Sequence, residues 1–226
     1  MKRGVLLLLL AMAAATAACS DDEGTGPEEG LARLRVVHAD AELGEVDVAV
    51  DDIEMASDLS FQDASDYLEL EPGSRHIVFL TADGTLDELQ VNLAEGVDYT
   101  VFPCCFGFAS SLFLTDDNAE SAEGNAKVRL IHFASAPTVD IYVTAPDTDL
   151  EAETPVLVAL ASSNVSDYLE LPSGDYQIRV TPAGTKTVLI DGGTQAVGPG
   201  EVRTVVVVDA EGGGEPFGLL VLEDAN

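Results

Sequence analysis

Apolar and polar residues along this chain change places every second position, in short runs that turn residues interrupt. Val46-Asp47-Val48-Ala49-Val50 keeps valine at every second position, Val139-Asp140-Ile141-Tyr142-Val143 keeps a β-branched residue there, and other runs are continuously β-branched; a period of two marks half-buried strands. Beyond the N-terminal apolar run no helical period is sustained. The pattern predicts strands near 33–38, 46–50, 64–70, 75–81, 86–92, 97–102 and 110–115, then near 127–132, 139–143, 165–171, 175–181, 185–190, 201–208 and 217–223. Pro72-Gly73, Ala82-Asp83-Gly84, Pro172-Ser173-Gly174 and Gly192-Gly193 read as the turns between them. Val202 to Val208 is almost wholly β-branched and apolar, as a central strand buried on both faces would be. In Tyr67-Leu68-Glu69-Leu70 and Tyr168-Leu169-Glu170-Leu171 the leucines fall on one face, and the tyrosine and glutamate on the other.

The two sets of strands carry the same words. Leu34-Arg35-Val36-Val37-His38 is echoed by Val128-Arg129-Leu130-Ile131-His132. Ser65-Asp66-Tyr67-Leu68-Glu69-Leu70 recurs unchanged as Ser166-Asp167-Tyr168-Leu169-Glu170-Leu171, and Leu112-Phe113-Leu114-Thr115-Asp116 meets Leu220-Val221-Leu222-Glu223-Asp224. The spacing between matched segments widens along the chain, which places insertions in loops. Two copies of roughly 90 residues are each long enough for a core of their own. About seven short strands per copy suggest a two-sheet sandwich. The expected fold is all-β: two tandem immunoglobulin-like antiparallel β-sandwich domains. Repeat 1 spans 32–117, a polar linker 118–126, and repeat 2 127–226.

The N-terminus reads as an address. Met1-Lys2-Arg3 is basic, Val5 to Ala15 is unbroken apolar chain, and Ala17-Ala18 precedes Cys19. These are the parts of a secretory signal, and the apolar run is shorter than the ~20 residues of a membrane span. Small residues ending on a cysteine resemble the lipobox of bacterial lipoproteins. That resemblance implies a signal peptide over 1–18 and lipidation of Cys19. Residues 19–31 then form an acidic tether with little to bury. The expected address is the bacterial cell envelope, anchored by lipid in the outer membrane, on its periplasmic or surface face.

Charge narrows the list of partners. With 41 acidic against 10 basic residues the formal charge is −31, a field that repels nucleic acid and anionic headgroups. The acids are spread through tether and repeats alike, as solubility requires, rather than gathered in one cluster. Trp is absent and aromatics make up 6%, which leaves thin stacking platforms for carbohydrate.

Little catalytic chemistry stands out. Cys104 and Cys105 are adjacent. Neighbouring Cα atoms lie about 3.8 Å apart, under the usual disulfide range of roughly 4.4–6.8 Å. Two small apolar side chains, a strained vicinal disulfide and an intermolecular bridge are all open readings of the pair. His38 and His132 end matched strands, and Asp47 and Asp140 follow each at matched positions. No Gly-x-Ser-x-Gly elbow accompanies them. Because His38, His132, Asp47, Asp140, Tyr67 and Tyr168 all recur in both copies, their simplest reading is structural, with the histidines bonding the loops that follow them. No ligand spacing for a metal and no cofactor motif is present, so neither is expected.

The assembled residues resemble a known family. Val-Arg-Leu-Ile-His, a loop with Pro137, Val-Asp-Ile-Tyr-Val, then Ser166-Asp167-Tyr168, Pro172-Ser173-Gly174 and Leu220-Val221-Leu222-Glu223-Asp224 look like the bacterial envelope domain of unknown function 4397. The first copy departs from it after His38, where the loop lacks the proline. The resemblance implies extracytoplasmic β domains and transfers no catalytic residue. The function expected is that of a lipid-anchored envelope protein without enzymatic activity. It would act as a binding, scaffolding or adhesion module toward an unidentified envelope protein or glycan. The alternative is an envelope hydrolase with a site near His38 or His132.

Overall fold

Strand β2 (Val46–Val50) shows how faithfully alternation becomes structure: Val46, Val48 and Val50 are buried while Asp47 and Ala49 are half-exposed. A computed structural model describes residues 30–103, 110–119 and 121–224. In repeat 1 the remaining strands are β1 (Ala32–Val36), β3 (Ile53–Leu59), β4 (Leu68–Leu70), β5 (Gly73–Thr81), β6 (Gly84–Leu93), β7 (Asp98–Phe102) and β8 (Leu112–Asp116). Repeat 2 contains β9 (Asn125–His132), β10 (Val139–Thr144), β11 (Leu157–Leu160), β12 (Asn164–Val165), β13 (Leu169–Pro172), β14 (Gly174–Pro182), β15 (Ile190–Val197), β16 (Val202–Val208) and β17 (Gly218–Glu223).

Each repeat is a sandwich of two sheets. Repeat 1 stacks β4-β1-β7-β8 on β3-β2-β5-β6, and repeat 2 stacks β12-β9-β16-β17, with β13 also on β9, against β11-β10-β14-β15. Pairing is antiparallel except once per repeat, where β1 runs parallel to β7 and β9 parallel to β16. The registers match: Leu34 faces Tyr99 and Tyr99 faces Thr115, as Val128 faces Arg203 and Arg203 faces Glu223. Leu34, Val36, Val48, Ile77, Phe79 and Val101 fill the first core. Leu130, Val139, Ile141, Val180, Val205 and Val207 fill the second.

Several strands depart from expectation for identifiable reasons. β3 and β11 were not anticipated. β3 follows β2 through Asp51-Asp52, both with positive φ, as a two-residue hairpin of the primed type requires. Its residues are mostly exposed, so its pattern is weak. The strand expected at 185–190 lies instead at 190–197, and Gly192-Gly193 sits inside it rather than at a turn. A Cβ on Gly192 would fall 2.5 Å from Leu219 Cδ1, so glycine there permits close packing. The run 165–171 divides into β12 and β13, and 64–70 shrinks to β4. In both places a serine hydroxyl replaces a ladder carbonyl. Ser65 Oγ accepts from Val36 N–H at 3.0 Å and Ser166 Oγ from Leu130 N–H at 2.9 Å. The repeated Ser-Asp-Tyr thus follows the central strand without being one.

The repeats are joined by more than a linker. β1 is buried along its whole length. Leu34 and Val36 enter the repeat's own core, while Arg35 and Val37 face the other way. The outer faces of the two central-strand sheets meet in a third apolar cluster, built from Val37, Ala39 and Phe102 of repeat 1 with Ile131, Phe133, Val206, Val208 and Leu222 of repeat 2. The Phe102 and Phe133 rings stack across it with centroids 5.7 Å apart. Matching surfaces of two like units meet, as in a two-fold dimer.

Phe133 is 2% exposed within that seam. Phe133→Ala should lower stability by about 3–5 kcal/mol and uncouple the repeats. Urea unfolding followed by circular dichroism checks this: one transition in the parent protein should become two in the variant.

Candidate functional site

The residues repeated in both copies converge on two kinds of place. The first is a closed polar circuit in the seam. Arg35 Nε and Nη2 both donate to Thr100 Oγ1, at 3.2 and 3.0 Å, and Nη2 also reaches Asp224 Oδ1 at 2.5 Å. Thr100 Oγ1 donates to Asp116 Oδ2 at 2.6 Å, and Asp116 Oδ1 accepts from Arg129 Nη2 at 2.7 Å. Arg129 in turn donates to Thr204 Oγ1 at 3.2 and 3.0 Å, and Thr204 Oγ1 donates to Asp224 Oδ2 at 2.7 Å. Arg35 and Thr100 belong to repeat 1 and Asp224 to repeat 2; Arg129 and Thr204 belong to repeat 2 and Asp116 to repeat 1. Each repeat's arginine is therefore neutralised by the other repeat's aspartate. All six side chains are buried.

The tyrosines sit over this circuit. Tyr67 lies 4.8 Å from the Arg35 guanidinium and Tyr168 lies 4.9 Å from that of Arg129, within cation–π range. Tyr67 Oη donates to Asp116 Oδ2 at 2.8 Å. Tyr168 Oη makes no matching bond to Asp224. Burial raises the pKa of both phenols, and Asp116 adds to the effect at Tyr67. Burial also pushes the Asp224 carboxyl above the usual range, against the pull of Arg35 and Thr204.

The second place is the loop after each central strand. His38 Nε2 donates to the Gly44 carbonyl at 2.8 Å and His132 Nε2 to the Pro137 carbonyl at 3.1 Å. A carbonyl only accepts, so the proton is on Nε2, and Nδ1 of each ring is buried without a partner. Asp47 and Asp140 are not brought to the histidines. Asp47 Oδ1 accepts from Asp58 N–H at 2.8 Å, and Asp140 accepts from Ala159 and Gly184 N–H, both at 2.8 Å. Each holds a positive-φ residue where an edge strand shifts register, Asp58 in β3 and Ala159 in β11, and Asp140 also holds the turn at Gly184. Desolvation lowers the His132 pKa, opposed by the Pro137 carbonyl and by Asp209.

Arg35, Arg129, Thr100, Thr204, Asp116 and Asp224 were not among the residues singled out from sequence. The available signal was an arginine set between core residues, Leu34-Arg35-Val36 and Val128-Arg129-Leu130. A charge in a central strand, kept through a duplication, needs a buried counter-charge. Cys19, Cys104 and Cys105, with the signal and most of the tether, lie outside the described residues. Among the described residues no group of three His, Cys, Asp or Glu is placed to hold a metal. Two of the concavities among the described residues stand out by their lining. One is an acidic cleft of about 420 Å³ bordered by Glu42, Glu45, Asp47, Asp58 and Asp83. The other is a cavity of about 250 Å³ between the sheets of repeat 2.

Sequence comparison finds one family twice along the chain. The family described as Domain of unknown function (DUF4397) matches over residues 11–142 and again over 143–226. The chain belongs to the DUF4397 family. No curated protein matches it. Among solved structures, the C-terminal domain of AlgF from P. aeruginosa is 16% identical, with a TM-score of 0.34, over 45% of this chain and all of that one. A candidate cell adhesion protein from Bacteroides eggerthii is 11% identical, with a TM-score of 0.23, over 88% of this chain and 97% of its own. These scores are too low to bear on function. The polar circuit is thus the join between two DUF4397 repeats.

Two predictions arise here. Arg35→Ala and Arg129→Ala should each destabilise the protein by about 3–5 kcal/mol, because a buried aspartate loses its counter-charge. Since both arginines belong to one circuit, the double variant should lose clearly less than the two single losses combined. Denaturant titration of the four proteins decides the point. The second concerns pH. The folded state holds His132 below its ordinary value of 6.5, so below that pH the unfolded chain binds the proton more readily and stability falls as pH is lowered. Above it His132 contributes no slope. His132→Gln keeps a donor for Pro137 and removes the titration, so its melting temperature should fall less between pH 7.5 and 5.5 than that of the parent.

Proposed function

We propose that this chain is a lipid-anchored bacterial envelope protein in which two coupled DUF4397 repeats form one rigid, non-enzymatic module for binding, scaffolding or adhesion. One observation carries the reading: the polar side chains kept in both copies are engaged in holding the fold. The seam arginines, threonines and aspartates close the join, the histidines hold loops, and Asp47 and Asp140 hold the register shifts of the edge strands β3 and β11. The copies differ in the chemistry of the loop after the central strand, Ala39-Asp40-Ala41-Glu42-Leu43-Gly44 against Phe133-Ala134-Ser135-Ala136-Pro137-Thr138, and Cys104-Cys105 has no cysteine counterpart in repeat 2. Differing loops on a rigid double scaffold are where partner recognition concentrates. An envelope protein or glycan is the partner that fits the address. Anchoring rests on the basic start, the apolar run and Ala17-Ala18-Cys19, followed by acidic chain that holds the folded part off the lipid.

The test has two arms. Cys19→Ala should move the full-length protein from the membrane fraction to the soluble fraction; retention after a salt wash would refute the lipid anchor. In the second arm the purified protein is offered ester, peptide and glycoside substrates. The proposal expects no turnover. Turnover abolished by His38→Ala or His132→Ala, with melting temperature unchanged, would establish the hydrolase instead.

A further inference from the structure

The two repeats agree in register throughout their central sheets, so a place where only one of them is filled is informative. In repeat 1, Tyr99 on β7 and Phe113 on β8 stack nearly parallel, with centroids 5.0 Å apart and planes at 17°. Tyr99 belongs to the core of repeat 1, and Phe113 on edge strand β8 and Val91 on edge strand β6 both pack against that core. Strand pairing fixes their counterparts. Tyr99 faces Leu34 and Thr115, and Arg203 faces Val128 and Glu223. Val101 faces Phe113, and Val205 faces Val221. Arg203 therefore stands for Tyr99, and Val221 for Phe113. Likewise Arg75 faces Val91 while Tyr176 faces Gln195, so Gln195 stands for Val91.

Repeat 2 has thus lost both rings from this place, and the space has not collapsed. A cavity of about 250 Å³ remains, opening between the edge strands β15 and β17. Val128, Ile178, Val205 and Val221 form its floor, and Gln195 and Arg203 stand at its mouth. An apolar cavity of about 150 Å³ already admits benzene, so this one has room for a single substituted ring. The Arg203 guanidinium is held by Glu201 Oε2 at 2.9 Å and Glu223 Oε1 at 2.5 Å. On β16 Arg203 holds the register position that Tyr99 holds on β7, and it lines the cavity. A planar guanidinium stacks on an aromatic face much as a phenol does. With its charge matched by two carboxylates, it favours a neutral ring over an anionic one.

We propose that this cavity is a binding site for one neutral aromatic ring, which takes the position that Phe113 fills in repeat 1 and lies against Arg203. The ring is carried by a small molecule or by a phenylalanine-like side chain. Gln195 Nε2 is engaged by the Gly192 carbonyl at 3.0 Å, which leaves its Oε1 at the mouth to accept from a polar substituent. This inference adds a site to the module proposed above and fails separately from it, since neither anchoring nor loop recognition involves the cavity.

The experiment uses the mature two-repeat protein, with p-cresol and N-acetylphenylalaninamide as probes for the two sources. Binding is followed through the methyl resonances of Val128, Val205 and Val221. At least one probe should shift these methyls saturably at one site per chain, and which probe does so identifies the source. Val221→Phe, which restores the ring of repeat 1, should weaken binding at least tenfold without lowering the melting temperature. If that variant does not fold, Val221→Leu should weaken binding by at least threefold. As a converse, Phe113→Val should open a second site in repeat 1. No saturable shift with either probe, or equal binding by a folded Val221→Phe, would overturn the proposal.

Discussion

A guanidinium in the middle of a buried strand is costly unless something of opposite charge meets it, and Arg35 and Arg129 are such groups. Neither finds its carboxylate within its own repeat. Arg35 meets Asp224 and Arg129 meets Asp116, with Thr100 and Thr204 linking the pairs into a circuit. Much else follows from this constraint. The outer faces of β1 and β9 must be covered, so the sheets carrying them pack together. The loops after His38 and His132 lie near the same seam, and there Gly212 N–H donates to the Ala41 carbonyl across the repeats at 3.0 Å.

The apolar part of the seam and the polar circuit divide the work. Phe102, Phe133 and their neighbours supply the area removed from water, the larger and non-directional contribution. The circuit supplies register. Sliding one repeat by a single residue would leave two arginines and two aspartates buried and unpaired, so the polar ring rejects alternative alignments that apolar packing alone would tolerate. Duplication makes this economical, because one strand pattern with one arginine produces both halves of a self-complementary face.

Local features were legible in the sequence and long-range ones were not. β2 and β10 could be read because alternation is a property of a few adjacent residues. The bond from His38 to Gly44 spans six residues, and a histidine closing a strand before a loop already suggests it. The partner of Arg35 is another matter, since Asp224 lies 189 residues away and approaches only because two sheets meet. Gly192 misled for a related reason. Glycine marks turns on average, but here it makes room for Leu219, a contact that exists only once β15 and β17 are assembled. The cavity in repeat 2 appears only when strand registers are compared, because Arg203 and Val221 are unremarkable strand residues when read singly.

The separation of Arg35 from Asp224 also sets an order in time. Each core is built from its own repeat alone, whereas the circuit takes Arg35, Thr100 and Asp116 from one repeat and Arg129, Thr204 and Asp224 from the other. A repeat 1 that has completed its core therefore still holds the outer face of β1 in water, with Arg35 solvated rather than paired, until repeat 2 has formed and packed against it. The lock closes after both cores, and whatever delays either core delays the lock.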